Sequence, residues 1–204
     1  HDALKTDLNF YIKDQVKIKK GWYGFVDLQY RGIKYNINGF ENNPSLIVDN
    51  NYHFFNPKAG LSYFNNSGWS GFLSYSLGQK EPNRDDFEAG VSELPKPEKL
   101  NDIELNISKR NTTNRWDATF YYMGYKDQLV LTGKINNVGA YTRTNIPKSY
   151  RLGVELTGST VITKWMNASA NLSLSKNKVL SFTEYIDDYD AGGQKTNHYS
   201  ETDI

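Results

Sequence analysis

The chain has no cysteine, which removes a disulfide framework and any thiolate metal site. No apolar run approaches the ~18–20 residues of a membrane-spanning helix. A barrel strand needs only ~9–11 alternating residues, so this absence leaves a β-type membrane protein open. Charge of either sign is also missing in excess: the net value is +1, with Lys and Arg spread along the chain. That excludes the electrostatic footprint of a nucleic-acid binder. The three histidines, His1, His53 and His198, are far apart and lack carboxylates at ligand spacing, which argues against zinc or haem. No Ser–His–Asp set, nucleotide-binding glycine loop or dedicated carboxylate pair stands out, so neither an enzyme nor a cofactor is expected. A signal peptide is likewise not visible, because a strand pattern begins at Leu4. An exported chain that starts this way reads as a piece of something longer.

Aromatics are abundant instead: fifteen Tyr, ten Phe and four Trp in a chain of mean hydropathy −0.68. The tryptophans Trp22, Trp69, Trp116 and Trp165 are spaced 47, 47 and 49 residues apart. Each follows a short polar turn and opens a stretch of period-2 alternation. A fixed period marks one structural level visited repeatedly. An indole at one level of an all-β array suits a bilayer interface, since its apolar body carries one N–H that needs a wet partner.

Eight alternating segments follow. Leu4, Thr6, Leu8, Phe10 and Ile12 face one way in the first, and Lys5, Asp7, Asn9 and Tyr11 the other. The same reading puts Trp22 to Tyr30, Ala59 to Tyr63, Trp69 to Leu77, Ile103 to Ile107, Trp116 to Tyr122, Tyr150 to Leu156 and Met166 to Leu174 on one face. Strands of roughly 9–14 residues in sequential neighbour order are predicted. Leu8, Phe10, Leu28, Leu73, Leu105, Leu152 and Leu172 are expected to face lipid.

Links between paired segments are short, around residues 19–21, 65–68, 111–114 and 159–160. Long polar excursions cover roughly 33–54, 79–99, 127–149 and 177 onward, with Leu129–Leu131 and Ala140–Thr142 forming a hairpin inside the third. Short turns at one rim and long loops at the other define an outer-membrane pattern. The fold class is therefore all-β, an antiparallel up-and-down transmembrane β-barrel segment of about eight strands, with short periplasmic turns and long extracellular loops. A propeller needs four short strands per repeat, and a soluble sandwich would carry a more aliphatic interior.

On the polar face, Asp27, Arg31, Glu104, Arg151 and Glu155 line the lumen, where they pair either with a plug or with one another. Among loop residues, Arg84, Asp85, Asp86 and Phe87, with Tyr141 and Arg143, combine charge and aromatic surface as a ligand mouth requires; solvated turns are the plainer alternative. Glu184, Asp187, Asp188 and Asp190 beside Gly192 and Gly193 have the oxygens for calcium but no matching spacing, so ordinary loop acidity is preferred. Trp22, Trp69, Trp116 and Trp165 form the periplasmic aromatic girdle. Asn-x-Ser/Thr strings at Asn65, Asn106, Asn111, Asn167 and Asn171 reflect composition.

Several strings resemble one family. These are Phe55-Asn56-Pro57-Lys58-Ala59-Gly60-Leu61-Ser62-Tyr63, Glu81-Pro82-Asn83-Arg84-Asp85-Asp86-Phe87 and Pro95-Lys96-Pro97-Glu98-Lys99-Leu100. Tyr122-Met123-Gly124-Tyr125-Lys126-Asp127-Gln128-Leu129 and Ser149-Tyr150-Arg151-Leu152-Gly153-Val154-Glu155-Leu156 belong with them. Together they resemble the barrel of TonB-dependent outer-membrane receptors, in the flavour found in Bacteroidetes. The resemblance implies location in the Gram-negative outer membrane, contact with outer-membrane lipid, and uptake of a scarce bulky nutrient: a ferric siderophore, haem or cobalamin. It also implies drive from the TonB–ExbB–ExbD complex through a plug domain. The family's barrel has 22 strands, a plug and a terminal aromatic strand. Residues 1–204 are thus expected to be a partial barrel without plug or remaining strands. A self-contained small adhesin or porin-like barrel is the alternative, and an outer-membrane enzyme a third that no catalytic set supports.

Overall fold

The structure is a computed structural model and describes residues 2–41, 43–89, 94–136, 139 and 141–203. His1 and Ala140 lie outside the described residues. Eight long strands follow one another: β1 (Asp2–Lys19), β2 (Trp22–Asn38), β3 (Ile47–Phe64), β4 (Trp69–Lys80), β5 (Glu98–Arg110), β6 (Asn114–Ile135), β7 (Tyr141–Thr163) and β8 (Met166–Leu180). β9 (Phe182–Asp188) and β10 (Gly193–Tyr199) form a separate hairpin, and β11 (Thr202–Asp203) returns to β8. Every neighbouring pair is antiparallel, in the order β1-β2-β3-β4-β5-β6-β7-β8-β11. Among the described residues there is no α-helix, only a six-residue 3-10 turn at Arg84–Ala89.

Register explains why the alternation is so regular. Gly71, Leu73 and Tyr75 of β4 lie opposite Ile107, Leu105 and Ile103 of β5, and these opposite Ala118, Phe120 and Tyr122 of β6. Phe120 and Tyr122 then meet Val154 and Leu152 of β7. These side chains form one continuous apolar face that the protein leaves uncovered: Leu8, Phe10, Leu73, Leu105, Leu152 and Leu172 are all exposed. A soluble monomer rarely shows so large a bare apolar surface. Lipid covers it at no cost. Leu28 shares the face but is half-buried rather than exposed. Asp14, opposite Val26 of β2, interrupts the apolar set on β1.

The other face is polar and shallow. Phe25 lies across Gly60, its partner on β3, and stacks on Phe72 with ring centroids 5.7 Å apart. Tyr121 lies across its own partner Gly153 in the same way. A Cβ at Gly60 would meet the Phe25 ring at 2.4 Å and the Leu73 carbonyl oxygen at 2.6 Å. Glycine there lets a large ring lie flat along the wall instead of projecting from it.

The tryptophans gather at the short-turn rim. Trp69 and Trp116 meet edge to face with centroids 5.1 Å apart, and Trp22 packs on Tyr63 at 4.9 Å. Lys109 caps the Trp69 ring at 4.9 Å. The fourth turn falls at Lys164–Trp165 rather than at residues 159–160, because β7 and β8 keep pairing through a bulge at Val161/Thr163. Trp165 therefore sits in the turn itself, 83% exposed, instead of opening a strand.

Strand length departs most from expectation. β4 and β5, with 12 and 13 residues, fit the expected 9–14, but the other six of β1 to β8 run to 15–23. Residues 33–54 are not one loop: β2 continues to Asn38 and β3 begins at Ile47. Above Tyr30 the apolar set changes sides. Ile33, Tyr35 and Ile37 occupy the face that carries Asp27 and Arg31 lower down, while Lys34, Asn36 and Asn38 point outward into water. With Phe40, Leu46, Val48, Phe54 and Phe87 they make the main buried cluster among the described residues. Period 2 persists through the switch, so pairing persists. The hairpin expected within 127–149 is present, with Val130 opposite Thr144 and Leu131 opposite Arg143. The final excursion is also ordered, as β9, β10 and β11.

Replacing Leu105 with Arg should weaken folding into bilayers by ~2–4 kcal/mol near the midplane, read by urea titration in liposomes. Gly153→Ala should lose ~1–3 kcal/mol in the same assay, because Tyr121 and the Leu174 carbonyl must both move. A neutral result for either would contradict the lipid-facing position of Leu105 or the placement of the Tyr121 ring across Gly153.

Candidate functional site

Two groups of residues on the polar side carry the chemistry: charges on the strands, and the loops above them. Asp27 forms an ion pair with Lys13 across β1 and β2 at 3.1 Å. Arg31 binds Asp7 at 2.7 Å and Glu81 at 3.3 Å, and Lys5 binds Glu81 at 2.7 Å. Wall-to-wall pairing thus accounts for Asp27 and Arg31. Glu104, Arg151 and Glu155 behave differently. They line one cleft with Tyr121, Thr119 and Asn177, and none of the three makes an ion pair with a described residue. Arg151 instead rests over the Tyr125 ring at 5.4 Å. Asp102, one row away on β5, has an oxygen with no hydrogen-bond partner among the described residues. This stretch of wall therefore presents both charge signs to whatever occupies the lumen.

The Glu81 carboxylate sits just past the end of β4, where it begins the loop to β5. Burial alone would raise its pKa, but the hydrogen bond from Lys5 and the nearby Arg31 outweigh it and hold the carboxyl below the usual range. From this anchor the loop turns inward. Phe87 is fully buried against Tyr35, ring centroids 5.7 Å apart. Asp86 is only 3% exposed; it accepts from the Asn83 backbone N–H at 2.6 Å and pairs with Arg143 of β7 at 2.7 Å. Arg84 stacks over Phe40 at 5.1 Å.

These contacts correct the reading of the mouth. Asp86 and Phe87 hold the loop down and are not displayed to a ligand, and Arg143 is committed to Asp86. Asp85 and Tyr141 remain exposed, and the Arg84 guanidinium stays at the surface. Tyr141 donates to Asp187 at 2.7 Å, which lowers the Asp187 pKa and raises that of the phenol.

The acidic loop is distributed, not convergent. Asp187 also accepts from Gln194, Asp188 pairs with Lys195, and Glu184 accepts from Tyr199 and Asn197. Among the described residues no group of three His, Asp or Glu side chains is set to hold a metal ion. These bonds fasten the loops together. Gln194 donates to the Gly133 carbonyl at 2.7 Å, joining β10 to the β6–β7 hairpin, and Asn136 donates to the Glu88 carbonyl at 3.0 Å. Three loops distant in sequence thus form one connected rim. A second aromatic row was missed by sequence reasoning. Tyr75 donates to Asn101 at 2.9 Å, and Tyr122 stacks on Tyr150 at 6.3 Å, at the upper edge of the apolar band. The signal for it is a tyrosine ending the alternation on successive strands.

Known proteins share this architecture. The profile of the family described as TonB dependent receptor-like, beta-barrel matches residues 2–202. No curated protein matches. The structure is similar to the FrpB iron transporter from Neisseria meningitidis, with a TM-score of 0.69 at 19% identity over 87% of this chain and 26% of that one. It is similar to the copper transporter OprC, TM-score 0.69 at 14% identity, over 87% of this chain and 30% of that one. The alcaligin receptor FauA from Bordetella pertussis gives 0.61 at 16% identity, over 98% and 33%. The chain spans about a quarter to a third of these solved chains. With nine antiparallel strands in one sheet, a bare lipid-facing surface and a family match over almost its whole length, this chain belongs to the β-barrel family of TonB-dependent receptors of the Gram-negative outer membrane.

Proposed function

We propose that residues 1–204 are part of the barrel wall of an active transporter that takes up a scarce, bulky nutrient of the ferric siderophore, haem or cobalamin class. The observation that carries this reading is the open sheet. Among the described residues β1 pairs only with β2, and β8 pairs with β7 and the two residues of β11, so the first and eighth strands do not meet. A closed eight-stranded barrel has a lumen filled by side chains. This wall instead carries small or flattened groups at Gly60, Ser74, Ser76, Gly153 and Ser173, as a wide barrel requires. The adhesin or porin-like alternative needs direct pairing of β1 with β8, and no such pairing exists among the described residues.

In the mechanism this supports, the connected loops form the outer mouth, with Asp85, Tyr141 and Tyr189 exposed to solute. Glu104, Arg151 and Glu155 face a plug, which must loosen during transport and so benefits from contacts that water can replace. Energy comes from TonB–ExbB–ExbD through that plug. FrpB is an iron transporter and OprC a copper transporter. For this chain a metal chelate fits the polar, aromatic mouth. No catalytic role is proposed.

The test is growth of a strain lacking the whole receptor under iron, haem and cobalamin limitation in turn. A defect under one limitation, reproduced by loss of TonB, is the expected result. Unimpaired growth in all three, or uptake that survives loss of TonB, would overturn the proposal. A second expectation concerns acid. A carboxylate with a depressed folded pKa lends stability that is present above its unfolded pKa and lost as pH falls through the folded one. Protection of the amides at residues 83–89, corrected for intrinsic exchange, should therefore match at pH 7 and 5.5 and fall below about pH 4. Glu81→Gln should show the lowered protection already at pH 7.

A further inference from the structure

Between the tryptophan rim and the tyrosines above it, the lipid-facing sets of β1 to β8 contain one carboxylate among the described residues. Asp14 of β1 takes the outward position between Ile12 and Val16 and is exposed. It lies opposite Val26, four residues above Trp22 on β2. At ~3.3 Å per residue and a tilt near ~45°, that is roughly 9 Å above the rim, inside an apolar band ~25 Å tall. A carboxylate at that depth is costly unless paired, and charges within a membrane pair with one another.

Nothing on the known side of the wall can pair it. Across the ladder its neighbours are Val26 and, diagonally, Gly24 and Leu28; along the strand they are Ile12 and Val16. Lys13 and Lys17 point to the opposite face by alternation, and Lys13 is held there by Asp27 at 3.1 Å. The other side of β1 is free, since among the described residues this strand pairs only with β2. A bare strand edge is not tolerated in hydrocarbon, so a further strand must lie along β1. The chain spans only about a quarter to a third of the solved chains it resembles, which leaves that strand to the rest of the receptor.

The same seam needs its register set. Apolar alternation of period 2 looks unchanged when one strand slides past another by two residues, so the apolar pattern alone does not choose. A charge pair at one level does, and fixing register is the best-attested use of such pairs.

We propose that Asp14 is met across the free edge of β1 by an arginine or lysine on the outward face of the adjoining receptor strand, and that this pair sets the register of the seam. The proposal rests on the reading of this chain as part of a wider barrel wall.

The whole receptor is the material for the test. Photoreactive benzoylphenylalanine is placed at Ile12, and the peptide joined to it by light is identified by mass spectrometry. A receptor peptide from outside residues 1–204 that contains an arginine or lysine is expected. Folding into liposomes is then followed by urea titration. Removing one partner leaves the other alone in lipid, so Asp14→Leu should lower the folding equilibrium constant at least about ten-fold. Replacing the basic residue by Leu as well should restore it, and so should exchanging the two charges. A carboxylate without a cation gives the opposite sign. Asp14→Leu would then fold more stably than the wild type, which would overturn the pair and leave the wide wall standing. A cross-link to Met166–Leu180 would instead overturn the wide wall. A cross-link to a different protein, or to a receptor strand without a basic residue, would overturn the assigned partner.

Discussion

Everything in this chain follows from the rule that a backbone inside hydrocarbon must satisfy its own hydrogen bonds. The ladder from β1 to β8 obeys it by pairing each strand antiparallel with the next, with register shifts at Lys17/Lys19, Leu131/Ile135 and Val161/Thr163. Once pairing is continuous, side chains alternate without relief, and one face must match lipid along its full height. The pleat therefore dictates both the apolar exterior and the polar wall behind it. Small residues at Gly60 and Gly153 are secondary adjustments, letting Phe25 and Tyr121 lie along the wall.

The same ladder outlives the membrane. Beyond Tyr30 water replaces lipid on the outer face, so Lys34, Asn36 and Asn38 turn outward and apolar groups retreat to the inner one. Those inner groups gain a core only because the β4–β5 loop folds back and inserts Phe87 among them. Asp86 then ties that loop to β7 through Arg143, and Gln194 ties β10 to the neighbouring hairpin. What looks in sequence like three separate excursions is one connected rim built on extended strands.

Sequence reading reached the parts governed by local period. The lipid-facing sets, the antiparallel order and the short-turn rim were legible because each depends on neighbours two residues apart or on one turn. It failed over residues 33–54, where the period held but the apolar set changed sides, so the stretch looked like a polar loop. Phe87 was illegible for another reason: its partners Ile33 and Tyr35 lie some fifty residues earlier, and nothing in Arg84–Phe87 announces them. Polar and aromatic composition made Asp86 and Phe87 resemble a ligand surface, whereas burial shows them anchoring the loop.

The turn between β9 and β10 stands apart from this interlocked rim. Gly192 and Gly193 have no neighbouring atom within 4 Å of where a Cβ would lie, and Tyr189 is 91% exposed. Loop tips of this kind accept inserted sequence, while segments pinned by buried contacts do not. An epitope tag placed between Gly192 and Gly193 would therefore be displayed on the cell surface without unfastening the loops around it. The same tag placed at Asp86 would pull Phe87 from its core. The cell surface can thus be labelled at this tip of the receptor.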